Sequence, residues 1–229
     1  LDSTFGVDGV ARTSLGVNDV ITSIAVQADG KILAGGTTDG NFSIVRYNVN
    51  GTLDGTFDPG TGTDAFINSV IIQPDGKILI AGGFNSFDSL GRAGVARVND
   101  DGTLDPTFNP GTGADDVVTA MVLQADGNIL LAGNFTHFNN VTRNHLVRLT
   151  SSGAVDLSFD AGLGPNGTIN ALALAPVAGG TQLIYIGGDF TSVAGTPRAR
   201  IARLLATGAL DGSFAPASGP DNTVFTLLP

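Results

Sequence analysis

The sequence predicts an all-β protein, a β-propeller built from tandem repeats of about 51 residues. The main observation is a five-residue motif, Leu/Val-Asp-x-Thr/Ser-Phe, which recurs at residues 1–5, 53–57, 104–108, 155–159 and 210–214. Between the motifs, short apolar runs alternate with turn residues, and 33 of the 229 residues are glycine. Several short strands per repeat, joined by tight turns, are the sequence signature of propeller blades.

Each repeat is predicted to contain three or four antiparallel strands. The first apolar run ends in Gln in three copies, and an Asp-Gly pair follows at residues 29–30, 75–76 and 126–127. This pair predicts a type I′ hairpin turn, in which both central residues have positive φ. A second apolar run, a polar loop and a third strand that ends in Arg come next, and the Leu-Asp motif is the fourth strand or its lead-in. We expect the first run to be the innermost strand, covered on both faces, because it is continuously apolar.

The motif spacing divides the chain into repeat units. These units are residues 1–52, 53–103, 104–154 and 155–209, with a partial unit at 210–229. The first unit differs by an extra segment at residues 6–15 and by a short central loop without Phe, and the fourth replaces the Gln-x-Asp-Gly turn by residues 175–180. Residues 224–229 align with 169–174, so we expect four full blades and the start of a fifth. Such a ring is incomplete or is closed by another chain, and its open strand edge could pair with a second copy.

The recurring motifs resemble those of the bacterial delta-60 repeat family. The residues that carry the resemblance are Gln-x-Asp-Gly-Lys-Ile-Leu, then Gly-Gly-x-Phe, then Arg followed by Leu, Val or Tyr, and then Asp/Asn-Gly-Thr-Leu-Asp-x-Thr-Phe. The likeness covers the whole chain. It implies a β-propeller fold and export from a bacterial cell, and it brings no assigned chemistry with it.

Composition restricts the partners. The chain has 21 acidic and 11 basic residues, and its net charge of −10 repels nucleic acid and anionic lipid. No stretch approaches the roughly 20 apolar residues that span a bilayer, so we expect no membrane insertion. The absence of Cys excludes disulfides and thiolate zinc sites. The few Lys and abundant Thr, Asn and Gly favour a secreted or cell-surface protein.

A charged pair recurs in the repeats, with Arg eight residues before Asp. The pairs are Arg46 and Asp54, Arg97 and Asp105, Arg148 and Asp156, and Arg203 and Asp211. Because a hairpin turn separates the two residues, we expect them to meet across adjacent strands as a bidentate ion pair. Repetition in every copy predicts a structural role for the pair.

A second recurring arginine gives a candidate binding surface. Arg92, Arg143 and Arg198 lie in the loop between the second and third strands, close in sequence to Phe87 and Phe138. Arginines and aromatic rings on successive blades could bind acidic or sugar ligands. The alternative is that the Phe rings belong to the core and each Arg caps a loop carbonyl, which the repetition favours.

Catalytic and metal sites find little support in the sequence. His137 and His145 are the only histidines, and we expect both to be exposed loop residues. No cofactor is expected; the acidic runs at residues 99–101 and 115–116 offer oxygen ligands to calcium, but turn chemistry also explains them. The sequence therefore predicts a non-enzymatic structural or interaction domain of an exported bacterial protein, with a protein or glycan partner at the cell surface. The alternative is a carbohydrate-active enzyme domain with carboxylates in the propeller channel.

Overall fold

The computed structural model describes residues 2–11, 20–37, 44–176 and 182–228. All regular structure in these residues is β-strand, so the all-β prediction is confirmed. No helix of the described residues is long and apolar enough to cross a membrane. The loop of the first repeat, the end of its extra segment and most of the 175–180 turn lie outside the described residues.

The chain folds as two compact units, Leu1–Phe108 and Asn109–Pro229. The described residues of the first unit form two three-stranded antiparallel sheets and one small ribbon. Sheet 1 consists of β1 (Val20–Val26), β2 (Ile32–Thr37) and β3 (Ile44–Tyr47). Sheet 2 consists of β4 (Ile67–Ile72), β5 (Ile78–Gly82) and β8 (Val95–Val98), and its ribbon of β6 (Ser86–Phe87) and β7 (Leu90–Gly91).

The second unit repeats the plan of sheet 2 twice. Sheet 3 consists of β9 (Val118–Leu123), β10 (Ile129–Gly133) and β13 (Leu146–Leu149), with a ribbon of β11 (His137–Phe138) and β12 (Val141–Thr142). Sheet 4 consists of β14 (Ile169–Pro176), β15 (Gln182–Gly188) and β18 (Ile201–Leu204), with a ribbon of β16 (Ser192–Val193) and β17 (Thr196–Pro197). In every sheet the second strand lies in the middle.

The Leu-Asp motif is the lead-in rather than a full fourth strand. It makes one isolated bridge to the third strand of the preceding sheet, at Leu53, Leu104, Val155 and Leu210. The chain then turns at once, since the amide of the motif Phe donates to the carbonyl of the motif Asp, as between Phe57 and Asp54. Each motif therefore completes the sheet before it, although it opens the next sequence repeat.

The first hairpins differ from the predicted type I′ turn. Gly30, Gly76 and Gly127 have positive φ, but the preceding Asp residues do not. The loop has three residues, because Gln27 pairs with Lys31 and the Gly30 amide donates to the Gln27 carbonyl. A type I turn followed by a left-handed glycine needs only one residue of positive φ.

The middle strand, not the first, is the most buried. Every residue of β5 and β10 is buried, whereas in β4 and β9 only every third residue is. The prediction that the first strand is covered on both faces was therefore wrong for these sheets. The middle strand is flanked by strands on both edges, and its Ile, Leu and Ala side chains fill the core of each unit.

A bulge in the first strand fixes the position of a glycine. The pairing register shifts around Thr22, Asn68, Thr119 and Asn170, one in each sheet. Opposite each bulge stands a glycine of the middle strand, Gly36, Gly82, Gly133 or Gly188. A Cβ at any of these glycines would overlap a backbone carbonyl of the first strand segment. This contact explains the second Gly of the recurring Gly-Gly or Ala-Gly pair.

Candidate functional site

The recurring Arg and Asp side chains meet in every sheet. Arg Nε donates to Asp Oδ2 at 2.8 Å between Arg46 and Asp54, and at 2.7 to 2.8 Å in the other three pairs. A bidentate pair was predicted, but only one guanidinium nitrogen of each Arg donates to the Asp carboxylate. The second donor, Nη2, reaches the hydroxyl two residues after the Asp, and that hydroxyl donates to Asp Oδ1, as Thr107 does at 2.7 Å.

The motif Phe completes the same network. The guanidinium carbons of Arg46, Arg97 and Arg148 lie 4.8 to 5.1 Å from the ring centroids of the Phe residues three positions after each Asp. Such stacking of a cation on a ring is worth more when the cation is desolvated, and Arg46 is only 3% exposed. Each residue type in Leu-Asp-x-Thr/Ser-Phe thus has one contact with the same Arg or with the third strand.

The network also joins adjacent sheets within each unit. In the first unit, Arg46 Nη1 donates to the Asp100 carbonyl at 2.6 Å, in the hairpin turn of sheet 2. In the second unit, Arg148 Nη1 donates to the Ala206 carbonyl at 2.7 Å, in the corresponding turn of sheet 4. The structure thus places these pairs in contacts that hold the repeats together.

The carboxylates of the network are held ionised. The Thr56 hydroxyl and the Lys31 ammonium, 2.9 Å from Asp54, keep the pKa of Asp54 well below its usual range. Burial acts to raise the pKa of Asp105, but hydrogen bonds from Lys77, Thr107 and Arg97 outweigh it and lower the pKa. Burial likewise acts to raise the pKa of Asp156, but hydrogen bonds from Ser158 and Arg148 outweigh it and lower the pKa.

We expect the protein to lose stability steeply at acid pH. A carboxyl with a lowered folded-state pKa contributes its full stabilisation above its unfolded pKa, about 3.9, and loses it as the pH falls through the folded value. Urea unfolding at pH 7 and at pH 3 measures this loss. Asp105→Asn should reduce the pH dependence, whereas Asp75→Asn, in an exposed hairpin turn, should keep it. Equal unfolding free energies at the two pH values would contradict the proposed role of the network.

The predicted surface of Arg and Phe is not formed. Phe87 and Phe138 are fully buried, because each lies on the inner side of its ribbon and packs into the core, so they cannot contact a ligand. Arg92, Arg143 and Arg198 each fold back, and Nη1 donates to the carbonyl of the preceding residue. Nε of each is buried without a hydrogen-bond partner. These arginines cap the ribbons, as the alternative reading predicted.

The acidic runs considered for calcium already have partners. Asp100 Oδ1 accepts from Arg46 at 2.7 Å and from Gln27, and Asp101 accepts from the Thr103 amide and hydroxyl. Asp115 accepts from the amides of Thr136 and His137. No group of three or more His or acidic side chains in the described residues has a metal-binding arrangement. These carboxylates organise turns and ribbons.

The two histidines have different surroundings. His137 is half exposed on its ribbon, and its Nδ1 lies 3.2 Å from Asp115 Oδ2 and 3.0 Å from the Thr136 hydroxyl. Burial acts to raise the pKa of Asp115, but hydrogen bonds from His137 and Thr136 lower it to about 2. His145 is only partly exposed, contrary to expectation, because its Nδ1 donates to the Gly133 carbonyl at 2.9 Å.

A polar cluster lies in the second unit, where the first strands begin. We use this name for six residues at the same end of sheets 3 and 4, which form two hydrogen-bonded groups with His145 beside the first of them. The six residues are Asn134, His145, Thr168, Asn170, Asp189 and Arg200. The Thr168 hydroxyl donates to Asn134 Oδ1, and Asn170 Nδ2 donates to Asp189 Oδ2 at 3.2 Å. Arg200 Nη1 lies 3.5 Å from Asp189 Oδ1. The hydrogen bond from the Thr223 hydroxyl is the main cause that lowers the pKa of Asp189, and Asn170 and Arg200 add to it against burial.

Two members of the cluster are held in a left-handed backbone conformation. His145 has φ 64° and Arg200 has φ 62°, and the equivalent residue of sheet 2 is Gly94, with φ 77°. This conformation costs a residue with a side chain about 1–2 kcal/mol. In sheets 2, 3 and 4 the carbonyl of this residue accepts a hydrogen bond from the glycine opposite the bulge, as the His145 carbonyl does from the Gly133 amide. Retaining His and Arg where Gly suffices marks these positions as candidates for function.

Four of the six cluster residues occupy positions where another copy has Gly. Gly83, Asn134 and Asp189 are equivalent, as are Gly94, His145 and Arg200. Sequence reasoning missed the cluster because it followed the recurring residues. The signal that would have found it is the opposite one, namely large polar residues where another copy has Gly.

These sheets and their shared network define the chain as a β-propeller repeat protein. The chain belongs to the DUF5122 β-propeller family, whose model is described as a domain of unknown function and matches residues 27–57, 73–108, 124–159 and 184–214. Each match ends on the motif Phe, so it contains one Arg-Asp network. The propeller prediction is thus confirmed at the level of the family.

Solved structures of similar fold are distant in sequence. A glucose dehydrogenase matches at 18% identity and TM-score 0.46, over 76% of this chain and 60% of its own. A gluconolactonase from Xanthomonas campestris matches at 15% and 0.45, over 82% and 59%. The extracellular domain of a protein described as a one-component system from B. thetaiotaomicron matches at 14% and 0.48, over 91% and 24%. The chain therefore spans 60% or less of each of these three structures. No curated protein matches it.

Proposed function

We propose that the protein is a non-enzymatic binding domain of an exported bacterial protein, and that the polar cluster binds a glycan. The observation that carries the proposal is the pair His145 and Arg200, which keep large polar side chains at a strained backbone position where sheet 2 has Gly94. Export, and the identity of the family with the delta-60 repeats, are proposed from the recurring motifs and from composition.

The chemistry of the cluster favours a glycan over a protein. Asn170, Asp189 and Arg200 present planar amide, carboxylate and guanidinium groups that can each hydrogen-bond two neighbouring sugar hydroxyls. Protein interfaces instead depend on Trp, Tyr and Arg anchors in desolvated pockets. The chain has no Trp, and the two ribbon Phe residues once considered for binding are in the core.

The protonation states favour binding over glycoside hydrolysis. A glycosidase needs a carboxylic acid with a raised pKa as proton donor. Every carboxyl with a shifted pKa among the described residues, Asp115 and Asp189 included, is shifted downward. His137 has Asp115 and Thr136 at Nδ1, but no hydroxyl of the described residues hydrogen-bonds its Nε2, where a hydrolytic triad has its nucleophile.

An array of neutral and acidic oligosaccharides tests the proposal. We expect the full chain to bind at least one oligosaccharide, and His145→Gly or Asp189→Asn to weaken that binding at least tenfold. His137→Ala removes the other histidine, outside the cluster, and should not alter binding. Since Gly relieves the left-handed strain, His145→Gly should not lower the unfolding free energy. Binding that is absent on the whole array, or unchanged in both cluster variants, would contradict the proposal.

A further inference from the structure

One face of sheet 1 is apolar and open to solvent. Ile21, Ile24 and Val26 of β1 are 48% to 65% exposed. The residues equivalent to Ile21 and Ile24 in the other sheets are at most 9% exposed; they are Ile67 and Val70, Val118 and Met121, and Ile169 and Leu172. No other strand of the described residues covers this face of β1, whereas the other first strands are covered.

The cover of a first strand is the middle strand of another sheet. In the first unit, Ile67 and Val70 pack with Leu33 of β2 in one cluster. A Cβ at Gly35 of β2 would lie only 2.6 Å from Val70 Cγ2, so the glycine makes room for that side chain. In the second unit, Ile169 and Leu172 pack in the same way with Leu130 and Ala132 of β10. The contact between a first strand and the middle strand of another sheet thus recurs in both units. The open face of β1 should therefore fit the middle strand of a further sheet.

The middle strand of sheet 4 offers such a cover. The face of β15 that carries Tyr185 lines a cavity of about 310 Å³ together with Ala173, Ile201 and Leu227. Val224 and Leu227 occupy part of this face, since a Cβ at Gly187 would lie 2.6 Å from Val224 Cγ1. Val224 and Leu227 thus contact Gly187 of β15 in the same way as Ile67 and Val70 contact Gly35 of β2.

The segment that holds this position is weakly attached. Residues 224–228 form no strand. The Val224 amide donates a long hydrogen bond, of 3.4 Å, to the Gly188 carbonyl of β15. Phe225 is 76% exposed and Leu228 is 97% exposed. By contrast, β1 is seven residues long and is paired with β2 along its length. A preformed sheet loses less conformational entropy on docking than a loose segment.

We propose that two copies of the chain associate head to tail. The open face of β1 in one copy packs against β15 of the other and displaces residues 224–228 from it. The contact continues the series of sheet-to-sheet contacts already present in each unit. It joins different surfaces of the two copies, so further copies can add at both ends. This inference is independent of the proposed glycan site.

Light scattering after size-exclusion chromatography, over a range of protein concentrations, tests the association. We expect the full chain to form dimers and larger species as concentration rises. Ile24→Asp, on the open face, should weaken association at least tenfold, whereas Leu157→Asp, at a leucine 73% exposed elsewhere, should not. Leu227→Asp should strengthen association, because it weakens the packing of residues 224–228 on β15 and leaves that strand open to β1 of another copy. Circular dichroism melting checks that each variant is folded.

The outcomes separate clearly. Monomers at every concentration in both the unsubstituted chain and Leu227→Asp would overturn the proposal, and so would association of Ile24→Asp as strong as that of the unsubstituted chain. Loss of association in Ile24→Asp together with its gain in Leu227→Asp would support it. Glycan binding to the monomeric Ile24→Asp variant tells failure of this contact apart from failure of the glycan site.

Discussion

Replacement of Asp105 by Ala is expected to lower the free energy of unfolding by about 3–5 kcal/mol, the usual cost of leaving one partner of a buried ion pair without the other. Asp105 is 1% exposed and accepts from Arg97, Lys77 and Thr107. Its loss leaves Arg97, itself 8% exposed, without its carboxylate. Urea unfolding at pH 7 measures the effect.

The matched control for this variant is Asp101→Ala. Asp101 is exposed and its carboxylate accepts from the amide and hydroxyl of Thr103 in its own turn, so its replacement should cost less than about 1 kcal/mol. Replacing both members of the buried pair, Arg97→Met with Asp105→Leu, should recover part of the lost stability, because the only charge left without that carboxylate is Lys77, whose side chain is 31% exposed. An Asp105→Ala variant as stable as the Asp101→Ala variant would contradict the structural role of the network.

Replacement of Gly133 by Ala is expected to cost about 3 kcal/mol, at the upper end of the cost of overpacking. The added methyl group would overlap the carbonyl of Val117, which belongs to the backbone beside the bulge. A backbone carbonyl cannot rotate away as a side chain does, so the register of β9 against β10 has to shift. The same overlap arises at the equivalent glycine of each of the other three sheets.

Gly55→Ala is the control for the cost of Gly133→Ala. No atom lies within 4 Å of a Cβ at Gly55, and this glycine does not have positive φ, so its replacement should leave stability within about 0.5 kcal/mol. Thermal unfolding of the two variants gives the comparison. Equal stability would show that the sheet adapts around the bulge, contrary to the geometry described above.

The sequence carried the repeating parts of the fold because several signals agreed at each position. The apolar runs lie in the first and middle strands of each sheet, and the Arg and Asp residues eight apart meet, since a hairpin turn sets their separation. The details of that contact were not predictable. Whether Arg97 binds Asp105 through two nitrogens or through one nitrogen and a Thr hydroxyl depends on the turn after the strand.

Burial and backbone strain were the features that sequence reasoning missed. The position of Phe87, close in sequence to the recurring Arg92, predicted a binding surface, but a two-residue strand turns its ring into the core. His145 was taken for an ordinary loop residue, and nothing in its own sequence context indicates φ 64°. Only the comparison with Gly94, at the equivalent position of another copy, carries that information.

The most direct test compares two variants in sheet 3, three residues apart in the sequence. Recurring residues are proposed to hold the repeats together, and residues that differ between copies are proposed to bind ligand. Arg148→Met should therefore lower the unfolding free energy while leaving the affinity of the folded protein for its selected oligosaccharide unchanged. His145→Gly should weaken that affinity at least tenfold without loss of stability. Loss of binding in Arg148→Met with retention in His145→Gly would contradict this division of roles.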